Sequence, residues 1–202
     1  MSAIGFLHGK LVFNRRIHVL AKWLAEEIPR GAMVLDVGCG DGNIAQLLLE
    51  ARPDIQIEGI DVSVRPTTHI PVTQFDGKTI PFPDKSFDTV MFVDVLHHTN
   101  DPTVLLAEAR RVARAAVILK DHCRDGVLAN STLRLMDWVG NAHHGVVLPY
   151  NYWREAQWRE TFEKLALAPA SWNARLGLYG FPFFLVFDRK LHFIARLLPS
   201  PT

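Results

Sequence analysis

Residues 33 to 44 read Met33-Val34-Leu35-Asp36-Val37-Gly38-Cys39-Gly40-Asp41-Gly42-Asn43-Ile44. The first five form a short apolar run of strand length, broken only by Asp36. Three alternating glycines follow, and Ile44, Leu47, Leu48 and Ala51 then recur at helical spacing up to the stop at Pro53. Strand, glycine turn and helix in this order are the first half of a parallel crossover unit. Glycines at such a turn let a ligand approach bare backbone at the N-terminal end of a helix.

Working outward, the unit repeats. Upstream, Leu11, Ile17, Leu20, Leu24 and Ile28 recur on one face of a helix expected over 11–28, which Pro29 and Gly31 terminate. Downstream, strands are expected at 55–61, 72–75, 89–95 and 115–119, with a helix started by Asp101-Pro102 between the last two. The stretch Ile80-Pro81-Phe82-Pro83 forbids regular structure. Helices are expected over 127–139 and 153–165, and alternation predicts two late strands near 170–176 and 191–197. With no repeat and no low-complexity linker, one α/β domain over 1–202 is the economical reading.

Asp36 lies inside the first strand, and Asp61 ends the second, 25 residues later. A carboxylate there suits a ribose, because it accepts hydrogen bonds from two vicinal hydroxyls. The plainer alternative is that Asp36 caps the turn and Asp61 caps the next helix. A nicotinamide-binding turn would read G-x-G-x-x-G, but here the third glycine comes one position early and Asn43 takes its place. An acid within the strand sits poorly near a pyrophosphate and well near a cation. S-adenosylmethionine, with an ammonium, a sulfonium and no phosphate, is the better charge match.

Four stretches in order resemble the motifs of class I S-adenosylmethionine-dependent methyltransferases of the small-molecule "type 11" group. They are residues 34–42, Gly59-Ile60-Asp61-Val62-Ser63, residues 80–90 and Asp94-Val95-Leu96-His97-His98, and the resemblance spans about 30–122. It implies a Rossmann-like fold: a mostly parallel seven-stranded sheet with helices on both faces and an antiparallel last strand. It further implies that Gly38 and Gly40 line the methionine portion of the cofactor and Asp61 holds the ribose. Phe75 and Asp76 would lie against the adenine, and Asp94 would close the methionine side. Within the single domain, 1–30 would form a helical lid, 31–122 the cofactor half and 123–202 the acceptor side with the final strands. One departure is Ala113-Arg114-Ala115-Ala116, where the family usually has a Lys-Pro-Gly-Gly turn.

Methyl transfer from a sulfonium is an in-line displacement in which alignment alone supplies about 7–11 kcal/mol. A base becomes useful when the acceptor is a hydroxyl. His97 and His98 follow the fourth strand and Asp121 ends the fifth, so the three are the candidate catalytic residues, the alternative being that the His pair is a feature of the fold. His122, His143, Tyr150, Tyr152 and Tyr179 are the candidate acceptor contacts, in connections dense with aromatic and imidazole groups. Packing over the sheet is the competing role for those aromatics. His143 and His144 are adjacent, so their side chains diverge, and no metal is expected.

Composition narrows the partners. Net charge is +1, from 22 Lys/Arg and 21 Asp/Glu; residues 1–122 carry 13 against 15 and the remainder 9 against 6. No basic face emerges, which argues against nucleic acid. The longest apolar run, Phe181 to Phe187, contains Pro182 and is too short to span a membrane. No signal peptide is legible, and two cysteines make no disulfide framework, so a cytoplasmic location is the default. The expectation is a methyltransferase, monomeric or homodimeric, acting at O or C of a small, largely apolar aromatic or acyl molecule. The alternative is a non-catalytic cofactor-binding module that uses its aromatic loops as an interface.

Overall fold

The computed structural model describes residues 3–141 and 149–200, with side chains for 14–139 and 149–200. Seven strands form one sheet: β1 (Met33–Val37), β2 (Gln56–Asp61), β3 (Val72–Gln74), β4 (Phe87–Val93), β5 (Ala113–His122), β6 (Leu167–Asn173) and β7 (His192–Pro199). The helices are α1 (Ala3–Glu27), α2 (Asn43–Ala51), α3 (Pro102–Val112), α4 (Ala129–Asn141), α5 (Glu155–Lys164) and α6 (Phe184–Phe187), with a 3-10 turn at Leu96–His98. The strand order is β3-β2-β1-β4-β5-β7-β6, and only β7 runs antiparallel to its neighbours.

Strand alternation sorts side chains onto two faces. Val34, Ile57, Met91, Ile118 and Ile194 pack with Leu20, Leu24 and Leu48 of α1 and α2. Leu35, Ile60, Val90, Phe92, Val117, Leu119 and Phe193 pack on the other face with Leu105 and Leu106 of α3 and Trp158 and Phe162 of α5. The chain moves outward from β1 through β2 to β3, then returns to place β4 on the opposite side of β1. That reversal opens a crevice beyond the carboxyl ends of β1 and β4, where ligands of such sheets bind.

Several boundaries differ from expectation, each for a local reason. β4 ends at Val93 because Asp94 adopts φ 59°, a left-handed conformation that breaks the extended chain. β5 runs on to His122 because β7 pairs with it from Val117 to His122. It begins directly after Val112, so Ala113–Ala116 lies in the strand and no turn separates α3 from β5. α1 starts at Ala3, well before residue 11. The first late strand falls at Leu167–Asn173, three residues early, with a bulge between Pro169 and Ser171 where the prolyl nitrogen cannot donate to the ladder.

Candidate active site

The glycine turn follows β1 and is anchored from β2, where the carbonyl of Ile60 accepts the Gly38 N–H at 2.7 Å. Gly38 has φ 74°, and a Cβ there would stand 2.7 Å from Val95 Cγ2, so the turn passes closely beneath the chain leaving β4. Gly40, at φ 61°, has nothing within 4 Å of where its Cβ would be. Its missing side chain is not required by packing; the space is open for a ligand. The Gly40 N–H donates to Asp61 Oδ2 and the Ser63 N–H to Asp61 Oδ1, both at 2.9 Å, which orients the carboxylate at the tip of β2. Asp36 is buried beneath the turn; burial, with Asp61 close by, pushes its carboxyl up to about 7. Two carboxylates beside an open glycine cradle, with no ion-pairing cation on either among the described residues, fit a ligand that is itself cationic.

Phe75 packs against the core under this edge, while Asp76 is engaged by its own turn, Oδ1 accepting the N–H groups of Lys78 at 2.8 Å and Thr79 at 2.7 Å. From Ile17 onward one face of α1 is core: Ile17, Leu20, Ala21 and Leu24 are buried, and Trp23 donates to the Leu176 carbonyl at 2.9 Å. Just before them Arg16 reaches the sheet and ion-pairs with Asp94.

Across the crevice, the ends of β4 and β5 carry a buried polar cluster. Asp94 is bound by both Arg16 and Lys120, the latter fully buried on β5. Burial alone would raise the Asp94 carboxyl, but Lys120 and Arg16 hold it well below the usual carboxylate range. Lys120 also lies 3.4 Å from His192 Nδ1, and His192 Nε2 contacts the Phe187 carbonyl at 3.0 Å. That pattern is met by a neutral His192 that donates from Nε2 and accepts from the ammonium. Its own protonation is suppressed by burial and by Lys120.

Asp121 sits at the centre, wholly buried. Its Oδ1 meets His97 Nδ1 at 2.8 Å and accepts the His122 N–H at 2.8 Å; its Oδ2 accepts the Leu96 N–H at 3.0 Å. The 3-10 turn therefore docks His97 onto β5 through two contacts to one carboxylate. Burial would lower the His97 pKa, but Asp121 and, from the opposite side, Asp137 raise it to about 9. His97 Nε2 is 3.7 Å from Asp137 Oδ1, and His98 Nε2 is 3.8 Å from the same oxygen. An imidazolium at His97 thus bridges two carboxylates. His98 is the opposite case: burial and the neighbouring His97 charge lower its pKa, and its Nδ1 has no hydrogen-bond partner among the described residues. His122, with Nδ1 at 3.3 Å from that of His97, is pushed down to about 4 by burial, Lys120 and His97.

Tyr152 is buried over this cluster, stacked on His97 with centroids 5.4 Å apart and donating to Asp137 Oδ2 at 2.8 Å. Tyr150 lies beside it under the Arg134 guanidinium, and Tyr179 packs between Phe187 and His192. His143 lies outside the described residues. Two groups of three donors bring their ligand atoms within 4.8 Å of one another: Asp94, His97 and His122, and His97, His98 and Asp137. In the first, Lys120 and Arg16 already neutralise the carboxylate; in the second, the charged His97 has no free lone pair to offer a metal ion.

The fold thus brings His97, His98, Asp121 and His122 together and sets Asp36, Gly38, Gly40 and Asp61 at the carboxyl ends of the neighbouring strands β1 and β2. Sequence reasoning missed Arg16, Lys120, Asp137 and His192. Two of them carried a signal, since Lys120 and His192 are polar residues beside the apolar runs of late strands; in the register they are diagonal neighbours, Lys120 opposite Ile194 and His192 opposite His122. Arg16 and Asp137 looked like ordinary polar positions on helices.

A family described as a methyltransferase domain matches residues 11–171. The chain is 29% identical over 170 residues to the 2-methyl-6-phytyl-1,4-hydroquinone methyltransferase of Synechocystis sp., covering 79% of this chain and 47% of that protein. It is 37% identical over 93 residues to the fatty-acid O-methyltransferase of Mycolicibacterium smegmatis, covering 42% and 34%. The chain spans about half the length of the first curated relatives it matches. Among solved structures, a complex of the Haloferax volcanii Trm112 methyltransferase activator with a putative methyltransferase matches at TM-score 0.71, with 17% identity over 96% of this chain and 93% of that one. With the motif order, the sheet topology and the family match in agreement, the chain belongs to the class I S-adenosylmethionine-dependent methyltransferases.

Proposed function

We propose that the chain methylates an oxygen or a carbon of a small, largely apolar acceptor, aromatic or acyl, and that the cluster around Asp121 serves an acceptor hydroxyl. The observation that carries this reading is the buried His97–Asp121 hydrogen bond, with His98 beside it, at the carboxyl ends of β4 and β5, the same edge of the parallel sheet that carries the glycine turn after β1. When bound, S-adenosylmethionine supplies a methyl group activated by its sulfonium. Asp36 and Asp61 supply negative charge for a cationic ligand, Gly40 leaves room for it, and the oxygens of Asp61 are oriented to accept from ribose hydroxyls.

The imidazoles divide the work by charge. His97 carries a proton at neutral pH and cannot accept another. His98 is kept neutral and retains an unpartnered ring nitrogen, so it is the group able to take a proton from an acceptor hydroxyl. Asp121 fixes His97, and His97 in turn holds His98 unprotonated; His97 is thus a positioning residue acting through charge.

The test is titration with S-adenosylhomocysteine followed by methyl transfer to a panel of phenols, fatty acids and bulk tRNA. Wild type is expected to bind the product and to methylate a phenol or an acid. His98→Ala is expected to lower kcat by about 10²- to 10⁴-fold on a hydroxyl acceptor with product affinity unchanged. His97→Gln is expected to move the acid limb of the rate profile to higher pH, because removing the neighbouring charge lets His98 protonate earlier. Full activity in His98→Ala, or an unmoved limb in His97→Gln, removes this assignment of roles.

A further inference from the structure

Helix α6 consists of Phe184-Leu185-Val186-Phe187, and none of its residues is buried. A helix apolar all round ordinarily belongs inside a core. Here Leu185 is 57% exposed and Phe181, just before the helix, 82%. A second exposed apolar segment precedes α4, where Val127 is 84% and Leu128 69% exposed. Arg189 joins the two: its Nε donates to the Val186 carbonyl at 2.9 Å, Nη1 to the Val127 carbonyl at 3.5 Å, and Nη2 to Thr132 Oγ1 at 3.0 Å. One guanidinium spans both backbones, so the exposed side chains form a single surface, of the kind that marks an interaction site.

The charge around this surface is predominantly positive: Asp125, exposed two residues before Val127, is engaged by the Glu155 N–H at 2.7 Å and flanked by the exposed Arg124. Arg189 and Lys190 are exposed at one end. At the other, Arg15 is exposed, donates to the Gly177 carbonyl at 3.3 Å and lies against Gly180, next to Phe181. The only acid between Arg175 and Lys190 is Asp188, and its carboxylate is turned to the N–H groups of Leu178 and Tyr179, both at 3.2 Å. Aromatic and aliphatic side chains rimmed by outward cations match an anionic lipid surface, where the apolar groups enter the acyl boundary and the cations meet headgroups. A second copy on the same face would bring like cations together. No described helix is long and apolar enough to cross a membrane, so the contact is superficial.

We propose that the face formed by Phe181, α6, Val127 and Leu128 docks on a bilayer containing anionic phospholipid, with Arg15, Arg189 and Lys190 on the headgroups. The face is continuous with the site, since Phe187 of α6 carries the carbonyl that holds His192 beside Lys120. Docking there would present a bilayer-borne apolar acceptor to the polar cluster.

The full chain is mixed with sucrose-loaded vesicles of phosphatidylcholine, with and without phosphatidylglycerol, and sedimented. Wild type is expected to sediment with the anionic vesicles and far less with phosphatidylcholine alone. Arg15→Gln with Lys190→Gln should lower the partition coefficient by about tenfold or more. Phe181→Asp with Leu185→Asp should abolish sedimentation while leaving thermal stability and S-adenosylhomocysteine affinity as in wild type. Wild type that stays in solution with anionic vesicles overturns the proposal, as does a Phe181/Leu185 variant that sediments like wild type. A Phe181/Leu185 variant that converts a dimer to a monomer, with vesicle binding unchanged, overturns it in favour of a second copy. Vesicle binding by a protein that methylates nothing would leave this proposal standing and sink the preceding one, so the two fail separately.

Discussion

Asp36 is the residue whose chemistry depends most on what binds beside it. Its carboxyl, raised to about 7 by burial and by Asp61, is partly protonated at neutral pH. A cationic ligand favours the carboxylate, so binding releases a proton and tightens as pH rises through about 7. Titration of S-adenosylmethionine from below to above that pH should show affinity climbing, and Asp36→Asn should flatten the climb and weaken binding at alkaline pH. Equal slopes in the two proteins would mean that Asp36 does not face the ligand's charge. Neighbouring glycines separate fold from site: Gly38 is required by the approach of Val95, whereas the space beside Gly40 is open.

At the scale of elements, α5 holds the far end of β5 in place. Trp158 is fully buried, packs 5.5 Å from Phe193 of β7 and 4.8 Å from Trp153, and donates to the His122 carbonyl at 3.0 Å. Trp158→Ala removes both the ring and that donor and should destabilise the protein by about 3–5 kcal/mol. Trp158→Phe keeps most of the packing but leaves the carbonyl unpaired, a cost of about 1–3 kcal/mol. Urea denaturation of the two variants separates the contributions. A similar loss in both would place the dominant role in the hydrogen bond. The α1 helix connects to the site by another route: Leu20 and Leu24 seat it in the core, and Arg16 joins it to Asp94 at the end of β4.

For the whole molecule, the buried charges predict a dome of stability against pH. Asp94, Asp121 and Asp137 are held below the ordinary aspartate pKa. Their contribution is complete above that range and is lost as pH falls through about 4 and below. Asp36 has the opposite sign, since a carboxyl raised to about 7 increasingly destabilises the fold as it ionises above its unfolded value. His97, raised to about 9, stabilises fully below the ordinary histidine range, and that contribution fades as pH rises through about 9. His98, His122 and His192, whose pKa values burial lowers, stabilise above the ordinary histidine range and lose that contribution as pH falls through it. Thermal midpoints of the ligand-free protein should therefore be highest at roughly pH 6 to 7 and decline on both sides. Asp36→Asn should lessen the alkaline decline and Asp121→Asn the acid one; a flat profile in wild type would show that the cluster is solvated.

The sequence by itself determined the parallel β/α order, the glycine turn and its acidic partners, because these rest on local periodicity and on backbone conformations that few residues adopt. It also picked out His97, His98 and Asp121, since the carboxyl ends of neighbouring parallel strands must lie together once the strands are known. Only the tertiary structure decided that His97 is charged while His98 is neutral, that Arg16 and Lys120 share Asp94, and that Lys120 reaches His192 diagonally across an antiparallel pair. Those relations join residues as far apart as 78 positions in the chain. Their pKa values come from burial and from charges on other elements, quantities that no local pattern of residues contains. The same holds for α6: its residues are apolar throughout, and their exposure follows from where the packed core ends.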